Sequence, residues 1–258
     1  MNYEEDKPIS YCGIFGIYGS NTASAQAYYG LHALQHRGQE ASGIVTRSFN
    51  GDNRAHFNII KGEGLVSEVF ADHNLLSDSL YGDAAIGHNR YSTTGAAKSR
   101  KNIQPFMVNY RMGNLAIGHN GNLTNAKELR EELVNEGAIF QTTSDTEVIL
   151  HLIARSKLDN QIDQILEALR KIEGAYCVVI LTDDKLIAAR DPLGFRPLSL
   201  GKLDDAILVA SETCAFDIQR AEFLREVEAG EMIVIDDESI KTKFIKSFRI
   251  KDIPEPQK

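Results

Sequence analysis

The chain has 258 residues, 43% of them hydrophobic, with 28 lysines and arginines against 36 aspartates and glutamates for a net charge of −8. That is enough apolar material for one large α/β domain or two small ones, and it excludes a disordered chain. The acidic balance repels phosphate backbones and anionic lipid, so neither nucleic acid nor a membrane is an expected partner, and no run approaches the roughly 20 apolar residues of a membrane helix.

Residues 1 to 11 read as a separate leader, charged, interrupted by Pro8 and without the basic start and apolar stretch of a secretory signal. The expected compartment is the cytoplasm. Three cysteines, Cys12, Cys177 and Cys214, argue against a disulfide framework and are too few for a closed thiolate metal site. From Cys12 the pattern changes to apolar residues alternating with glycine, which suits a short buried strand. A helix is predicted over Ala23 to His36, then strands over Gly43 to Thr46, His56 to Lys61 and Ala84 to Tyr91. A loop over Ser92 to Gln104 follows, and then paired strands over Phe106 to Tyr110 and Leu115 to His119. Helices are predicted over Asn125 to Asn135, from Ser144, and over Gln161 to Ile172 with Gly174 as a stop. Ser144 and Glu147 have the spacing of a capping box. Strands return over Ala175 to Leu181, Leu186 to Arg190, Ala206 to Ser211, Glu231 to Ile235 and Lys241 to Ile245. Strands, then helices, then strands, without βαβ alternation, favour α+β with antiparallel sheets and helices outside.

Five polar, glycine-rich clusters lie beside apolar strands, as a rigid scaffold presents reactive groups. They are Cys12-Gly13-Ile14-Phe15-Gly16-Ile17, Leu34-Gln35-His36-Arg37-Gly38-Gln39-Glu40, Gly87-His88-Asn89-Arg90-Tyr91-Ser92-Thr93-Thr94-Gly95, Gly118-His119-Asn120-Gly121-Asn122-Leu123-Thr124-Asn125 and Thr142-Thr143-Ser144-Asp145. Taken one at a time they have plainer readings. Cys12 is then a small buried hydrophobe, Asn120-Gly121 a two-residue hairpin turn, Asp145 a charge on a helix dipole and Arg90 a surface ion pair. His32 and His36 lack the acid of a zinc-protease helix and read as structural, and Gly62-Glu63-Gly64 lacks the third glycine of a dinucleotide loop. Cys177 reads as core.

In this order the clusters resemble the class II glutamine amidotransferases, members of the N-terminal nucleophile hydrolases. His36-Arg37-Gly38-Gln39 and Arg190-Asp191-Pro192-Leu193-Gly194-Phe195-Arg196-Pro197-Leu198 are similar to the amidophosphoribosyltransferase branch of purine synthesis. The resemblance runs from Cys12 to the tail and implies an α+β four-layer αββα sandwich of two antiparallel sheets flanked by helices. It implies a nucleophile at Cys12 whose own α-amino group is the base, which requires residues 1 to 11 to be a propeptide cut between Tyr11 and Cys12. An α-amino group titrates near pH 7.7–8.0 and a free thiol near about 8.5, so proton exchange between them is easy at working pH. The Asn120 amide and Gly121 N–H match the oxyanion hole. Arg90 matches the residue that grips the glutamine α-carboxylate, and Asp145 the partner of its α-ammonium. Arg37 and Gly38 match a segment lining the nucleophile, and Tyr91 to Gly95, with Tyr91 and Thr93 among them, the loop that closes over glutamine.

The expected division is a propeptide at 1–11, a glutaminase domain at 12–251 and, at 252–258, the start of a linker to a phosphoribosyltransferase domain that these residues do not include. Glutamine is then the substrate, and ammonia passes to phosphoribosyl pyrophosphate in the missing domain, giving 5-phosphoribosylamine in a homo-oligomeric enzyme. No cofactor is expected in this chain. Mg2+ belongs to the full-length enzyme, and relatives with a cleaved leader often hold a 4Fe-4S cluster, whose ligands would lie largely beyond Lys258. The rival expectation is an unprocessed, non-catalytic module that binds glutamine or a partner.

Overall fold

The computed structural model describes residues 12–49, 51, 54–91 and 100–251. Tyr11, Thr93, the leader, most of the expected loop over glutamine and the tail lie outside the described residues. In chain order the elements are β1 (Gly13–Tyr18), α1 (Ala23–Ala33), β2 (Ala41–Phe49), β3 (Ala55–Glu63), α2 (Val66–Val69), β4 (Ala84–Arg90), β5 (Phe106–Tyr110) and β6 (Gly113–Leu123). Then come α3 (Ala126–Asn135), α4 (Thr146–Arg155), α5 (Gln161–Lys171), β7 (Gly174–Thr182), β8 (Leu186–Arg190), β9 (Ser199–Leu203) and β10 (Ala206–Ala210). The last are α6 (Cys214–Asp217), β11 (Glu222–Glu226), β12 (Glu231–Ile235), α7 (Asp237–Thr242) and β13 (Lys246–Arg249).

Two antiparallel sheets result, ordered β11-β9-β10-β1-β4-β2-β3 and β13-β12-β8-β7-β6-β5. Period-two alternation gives each sheet two apolar faces, and three clusters fill them. Ile14, Val45, Ile86, Ala116, Val179 and Ile233 form the layer between the sheets. Phe15, Leu31, Leu34, Phe70 and Phe216 pack α1, α2 and α6 on the outside of the first sheet. Ile149, Ile153, Ile165, Leu169 and Tyr176 pack α4 and α5 on the outside of the second. This is the expected four-layer αββα sandwich.

The sheets meet closely where β4 and β6 cross. Gly118 carries no side chain there, and a Cβ built on it would lie 3.7 Å from Ile14 Cγ2 and 3.8 Å from the Gly87 carbonyl oxygen. Beside this contact His88 Nε2 donates to the His119 carbonyl at 3.1 Å. A second tie is the buried Arg47, which donates to both oxygens of Asp83, at 3.0 and 2.6 Å, and to the Tyr18 hydroxyl at 3.1 Å. That hydroxyl donates to the Asp237 carboxylate at 2.8 Å, linking the first sheet to α7.

Four local expectations are corrected. Lys241 to Ile245 is not a strand. Asp236 accepts from the Ser239 amide at 2.9 Å and starts α7, Lys243 ends it at φ 59°, and the strand begins at Lys246. Ser144 and Glu147 do not form a capping box. Glu147 turns back to accept from the amides of Gln141 and Thr142 at 2.7 and 2.8 Å, while Ser144 Oγ takes the Thr146 amide at 3.3 Å. Asn120-Gly121 is not a hairpin turn, because both residues lie inside β6 and pair with Cys177 and Tyr176 of β7. The helix predicted to His36 stops at Ala33, and a separate 3-10 turn covers Gln35–Arg37.

Removing one partner from a buried ion pair leaves the other charge stranded. Because the Asp83 side chain is itself 37% exposed, water partly relieves that charge, and Asp83→Asn is expected to lower unfolding stability by about 1–2 kcal/mol, measured by urea denaturation.

Candidate functional site

The strand register brings the predicted residues to one edge of the sandwich. Gly13 pairs with Asn89, so the next residue outward, Cys12, falls beside Arg90 at the end of β4. Arg90 also pairs with Ala41 of β2, and its carbonyl accepts from the Glu40 amide at 3.1 Å. Gly38 lies against this strand end, since a Cβ there would sit 2.7 Å from the Arg90 carbonyl carbon. On the facing sheet β6 passes from Gly118 at the close contact to Asn120 and Gly121. Two steps outward from that contact therefore reach Cys12 on β1 and Asn120 on β6, with Arg90 alongside on β4.

Asn120 has no exposure, and neither its side-chain nitrogen nor its oxygen has a hydrogen-bond partner among the described residues. A buried amide left unpaired costs about 1–3 kcal/mol, so its retention calls for a use. Gly121 sits at φ 157°, and a Cβ there would come within 2.0 Å of the Ala175 carbonyl oxygen, so only glycine fits. Two residues on, the Leu123 amide donates to Asp145 Oδ2 at 3.0 Å. Asp145 Oδ1 lies 3.6 Å from His119 Nδ1, which is also 3.1 Å from Thr146 Oγ1. Burial works against the Asp145 charge, but His119 and the amides of Leu123 and Thr146 outweigh it and hold the carboxyl below its usual range.

Cys12 is half-buried, with its Sγ 4.0 Å from the Tyr91 carbonyl oxygen. Burial pushes its thiol above the ordinary value, against the pull of the Arg90 and Arg37 charges, while Asp145 adds to the rise. Arg37, Arg90 and Asp145 thus all act on the one sulfur. A thiol in this state is a poor nucleophile without a base beside it.

The sequence reading missed the partners that hold this edge. Ser211 Oγ accepts from the Ile14 amide at 3.0 Å, and the Ser211 amide donates to the Ile14 carbonyl at 3.0 Å. Buried Arg37 donates through Nε to the Cys12 carbonyl at 3.0 Å and through Nη1 to Glu212. His36 Nε2 meets the other Glu212 oxygen at 2.9 Å. Ser211 and Glu212 carry no motif spacing and gave no signal beyond following an apolar strand.

Among the described residues one group offers three metal donors, His36, Glu212 and Cys214, but both Glu212 oxygens are already engaged by Arg37 and His36. The cysteines do not assemble an iron–sulfur ligand set. Cys12 precedes β1, Cys214 opens α6, and Cys177 lies fully buried in β7, where burial drives its thiol far up. A cavity of about 730 Å³ lies elsewhere, against β5 and α4, lined by Phe106, Tyr110, Phe140 and His151. It contains none of the predicted site residues, which lie at the strand edge instead. No helix among the described residues is long and apolar enough to cross a membrane.

Residues 88–217 match the glutamine amidotransferase domain. The chain belongs to this family. It is 50% identical over 238 residues to amidophosphoribosyltransferase 2, chloroplastic, of Arabidopsis thaliana, covering 92% of this chain and 41% of that protein. To the amidophosphoribosyltransferase of Bacillus subtilis it is 50% identical over 234 residues, covering 90% of this chain and 47% of the relative. Among solved structures, glutamine phosphoribosylpyrophosphate amidotransferase from B. subtilis, complexed with ADP and GMP, superposes with a TM-score of 0.84 at 48% identity. It covers 93% of this chain and 49% of that one. The chain thus spans less than half the length of the curated relatives it matches. The sandwich is of the N-terminal nucleophile hydrolase type, as the resemblance implied.

The tie between the sheets titrates. Burial pushes His88 down to about 3, so the ring is neutral at pH 7 and its Nε2–H is the donor to His119. A histidine with a depressed folded pKa contributes stability that is whole above its unfolded value of about 6.5 and is lost as pH falls towards the folded value. Urea midpoints measured from pH 7 to pH 4 are expected to fall more steeply for the native chain than for His88→Gln, which keeps a donor but no titration.

Proposed function

We propose that this chain hydrolyses glutamine through Cys12, once Cys12 is the N-terminal residue, and that it serves as the ammonia-producing half of an amidophosphoribosyltransferase. The observation that carries the reading is the buried Asn120 amide, without a partner among the described residues, two residues beyond the Gly118 contact and next to the His88–His119 bond that ties β6 to the strand ending at Arg90.

In this reading Arg90 binds the glutamine α-carboxylate by its planar fork and Asp145 the α-ammonium. Asp145 suits that role because His119 and the Leu123 amide keep it ionised. Gly38 and Tyr91 line the approach, and Thr93, outside the described residues, belongs to the covering loop. Cutting the bond between Tyr11 and Cys12 frees the α-amine that the raised Cys12 thiol requires. The amine takes the thiol proton, sulfur bonds to the side-chain amide carbon, and the carbonyl oxygen becomes an oxyanion. The Asn120 side-chain N–H and the Gly121 backbone N–H hold that oxyanion. The carbon–nitrogen bond then breaks, the proton goes to the leaving ammonia, and water releases glutamate from the thioester.

Ammonia passes to phosphoribosyl pyrophosphate to give 5-phosphoribosylamine, the first step of purine synthesis, in the portion of the relatives that this chain does not span. Mg2+ serves that portion, the ligands of any 4Fe-4S cluster lie largely beyond Lys258, and the full-length enzyme is a cytoplasmic homo-oligomer.

Intact mass after treatment with 6-diazo-5-oxo-norleucine is expected to show loss of residues 1 to 11 and one adduct on Cys12. A full-length chain without adduct would favour a non-catalytic module. Cys12→Ala is expected to abolish glutamate release, and persisting turnover in that variant would end the reading. Steady-state kinetics should then separate binding from chemistry. Asn120→Ala is expected to lower kcat by about 10²–10³-fold with little change in KM, whereas Arg90→Ala should chiefly raise KM.

A further inference from the structure

We propose that Glu212 is a positioning residue for the nucleophile, acting through Arg37. The inference rests on the reading of Cys12 as that nucleophile.

The nucleophile residue is held at its carbonyl end. Arg37 Nε donates to the Cys12 carbonyl at 3.0 Å, which sets the plane of the peptide bond leaving Cys12. The orientation of the Cys12 Cα, and with it the directions of the α-nitrogen and Sγ, follows from that plane. The β1 ladder begins only at Gly13, so among the described residues no rung of it holds Cys12 itself. The guanidinium is buried, at 6% exposure for the residue, and needs a counter-charge to stay there.

Glu212 supplies it. One carboxylate oxygen meets Arg37 Nη1, and the other meets His36 Nε2 at 2.9 Å, so the carboxylate is held from two sides. His36 is in turn anchored by Nδ1, 3.1 Å from the Ala33 carbonyl at the end of α1. The backbone of Glu212 cannot drift, since its neighbour Ser211 is bonded through both its amide and its hydroxyl to Ile14 of β1. Glu212 is therefore fixed to the nucleophile's own strand on one side and to α1 on the other, and Arg37 spans from it to Cys12. Burial opposes the Glu212 charge, and Arg37 and His36 overcome that, keeping the carboxyl below its usual range.

A misplacement on the order of 1 Å at a reacting group costs about 10²-fold in rate. A residue that acts only by aiming the nucleophile changes kcat and leaves glutamine binding, assigned to Arg90 and Asp145, unaltered. Its effect must also disappear once Arg37 no longer reaches Cys12, because residues in one network are not additive.

The test is a double-variant cycle in the processed chain, with Glu212→Gln, Arg37→Lys and the pair, each shown to be folded by thermal melting. Glutamate release from glutamine and the rate of Cys12 labelling by 6-diazo-5-oxo-norleucine at saturation are the readouts. Glu212→Gln is expected to lower both by about 10²-fold with KM for glutamine changed less than about threefold. The pair is expected to be no slower than Arg37→Lys alone. Where Glu212→Gln does not fold, Glu212→Asp, which keeps the charge on a shorter arm, takes its place with a smaller loss of kcat. Native kcat in the folded Glu212 variant, a loss confined to KM, or additive losses in the pair would overturn the proposal. Failure of the underlying reading shows differently, as an unvaried, processed chain that neither releases glutamate nor takes the label.

Discussion

Everything at the reactive edge depends on the two sheets lying close enough for β4 and β6 to touch. That closeness is made by the absence of a side chain at Gly118, which faces Ile14 and the Gly87 carbonyl, and is secured by the hydrogen bond from His88 to the His119 carbonyl; glycine at 87 serves the other face, where Leu31 of α1 packs. A bulkier residue at either glycine pushes against packed neighbours, Leu31 on the helix side of Gly87 and Val179 beside Gly118. Because the sheets are stiff ladders, fixing one crossing point fixes the separation of the residues two steps beyond it. Cys12 and Asn120 are such residues.

The edge is then built in two kinds of material. Backbone geometry supplies position: Gly38 lets the chain after α1 lie against Arg90, and Gly121 lets β6 approach β7. Side-chain charge supplies orientation: Asp145 is held by His119 and an amide of β6, and Arg37 by Glu212. Positive and negative groups alternate around Cys12, and burial strengthens their interaction by keeping water out. The same burial makes the Cys12 thiol reluctant to ionise.

The layer architecture was legible in the sequence because strands buried on both faces, such as β7 and β12, read as continuous apolar runs, and helical periodicity marks α4 and α5. The clusters that mark the edge were legible because glycine beside polar residues is costly inside a strand and signals a use. What stayed hidden depended on contacts distant in sequence. Glu212 is one acid after a strand until Arg37 and His36, some 175 residues earlier, are seen against it. β9 and β11 were missed since Ser199–Leu203 is interrupted by glycine and lysine, and Glu222–Glu226 is an exposed edge strand with little apolar contrast. Asn120-Gly121 has good turn chemistry, yet pairing with Cys177 and Tyr176 of β7 overrode local preference, as tertiary contacts commonly do. Glu147 similarly found better donors behind it than at its own helix start.

The first ladder pair of β1 is Gly13 with Asn89, and the bond that holds Cys12 comes from its carbonyl side. A cut on the amino side of Cys12 therefore severs no rung of either neighbouring strand and leaves the Arg37 grip untouched. The proposed maturation is then an act of unveiling rather than of refolding: one amide nitrogen becomes an amine beside a strand whose rungs, and an arginine grip, are already made.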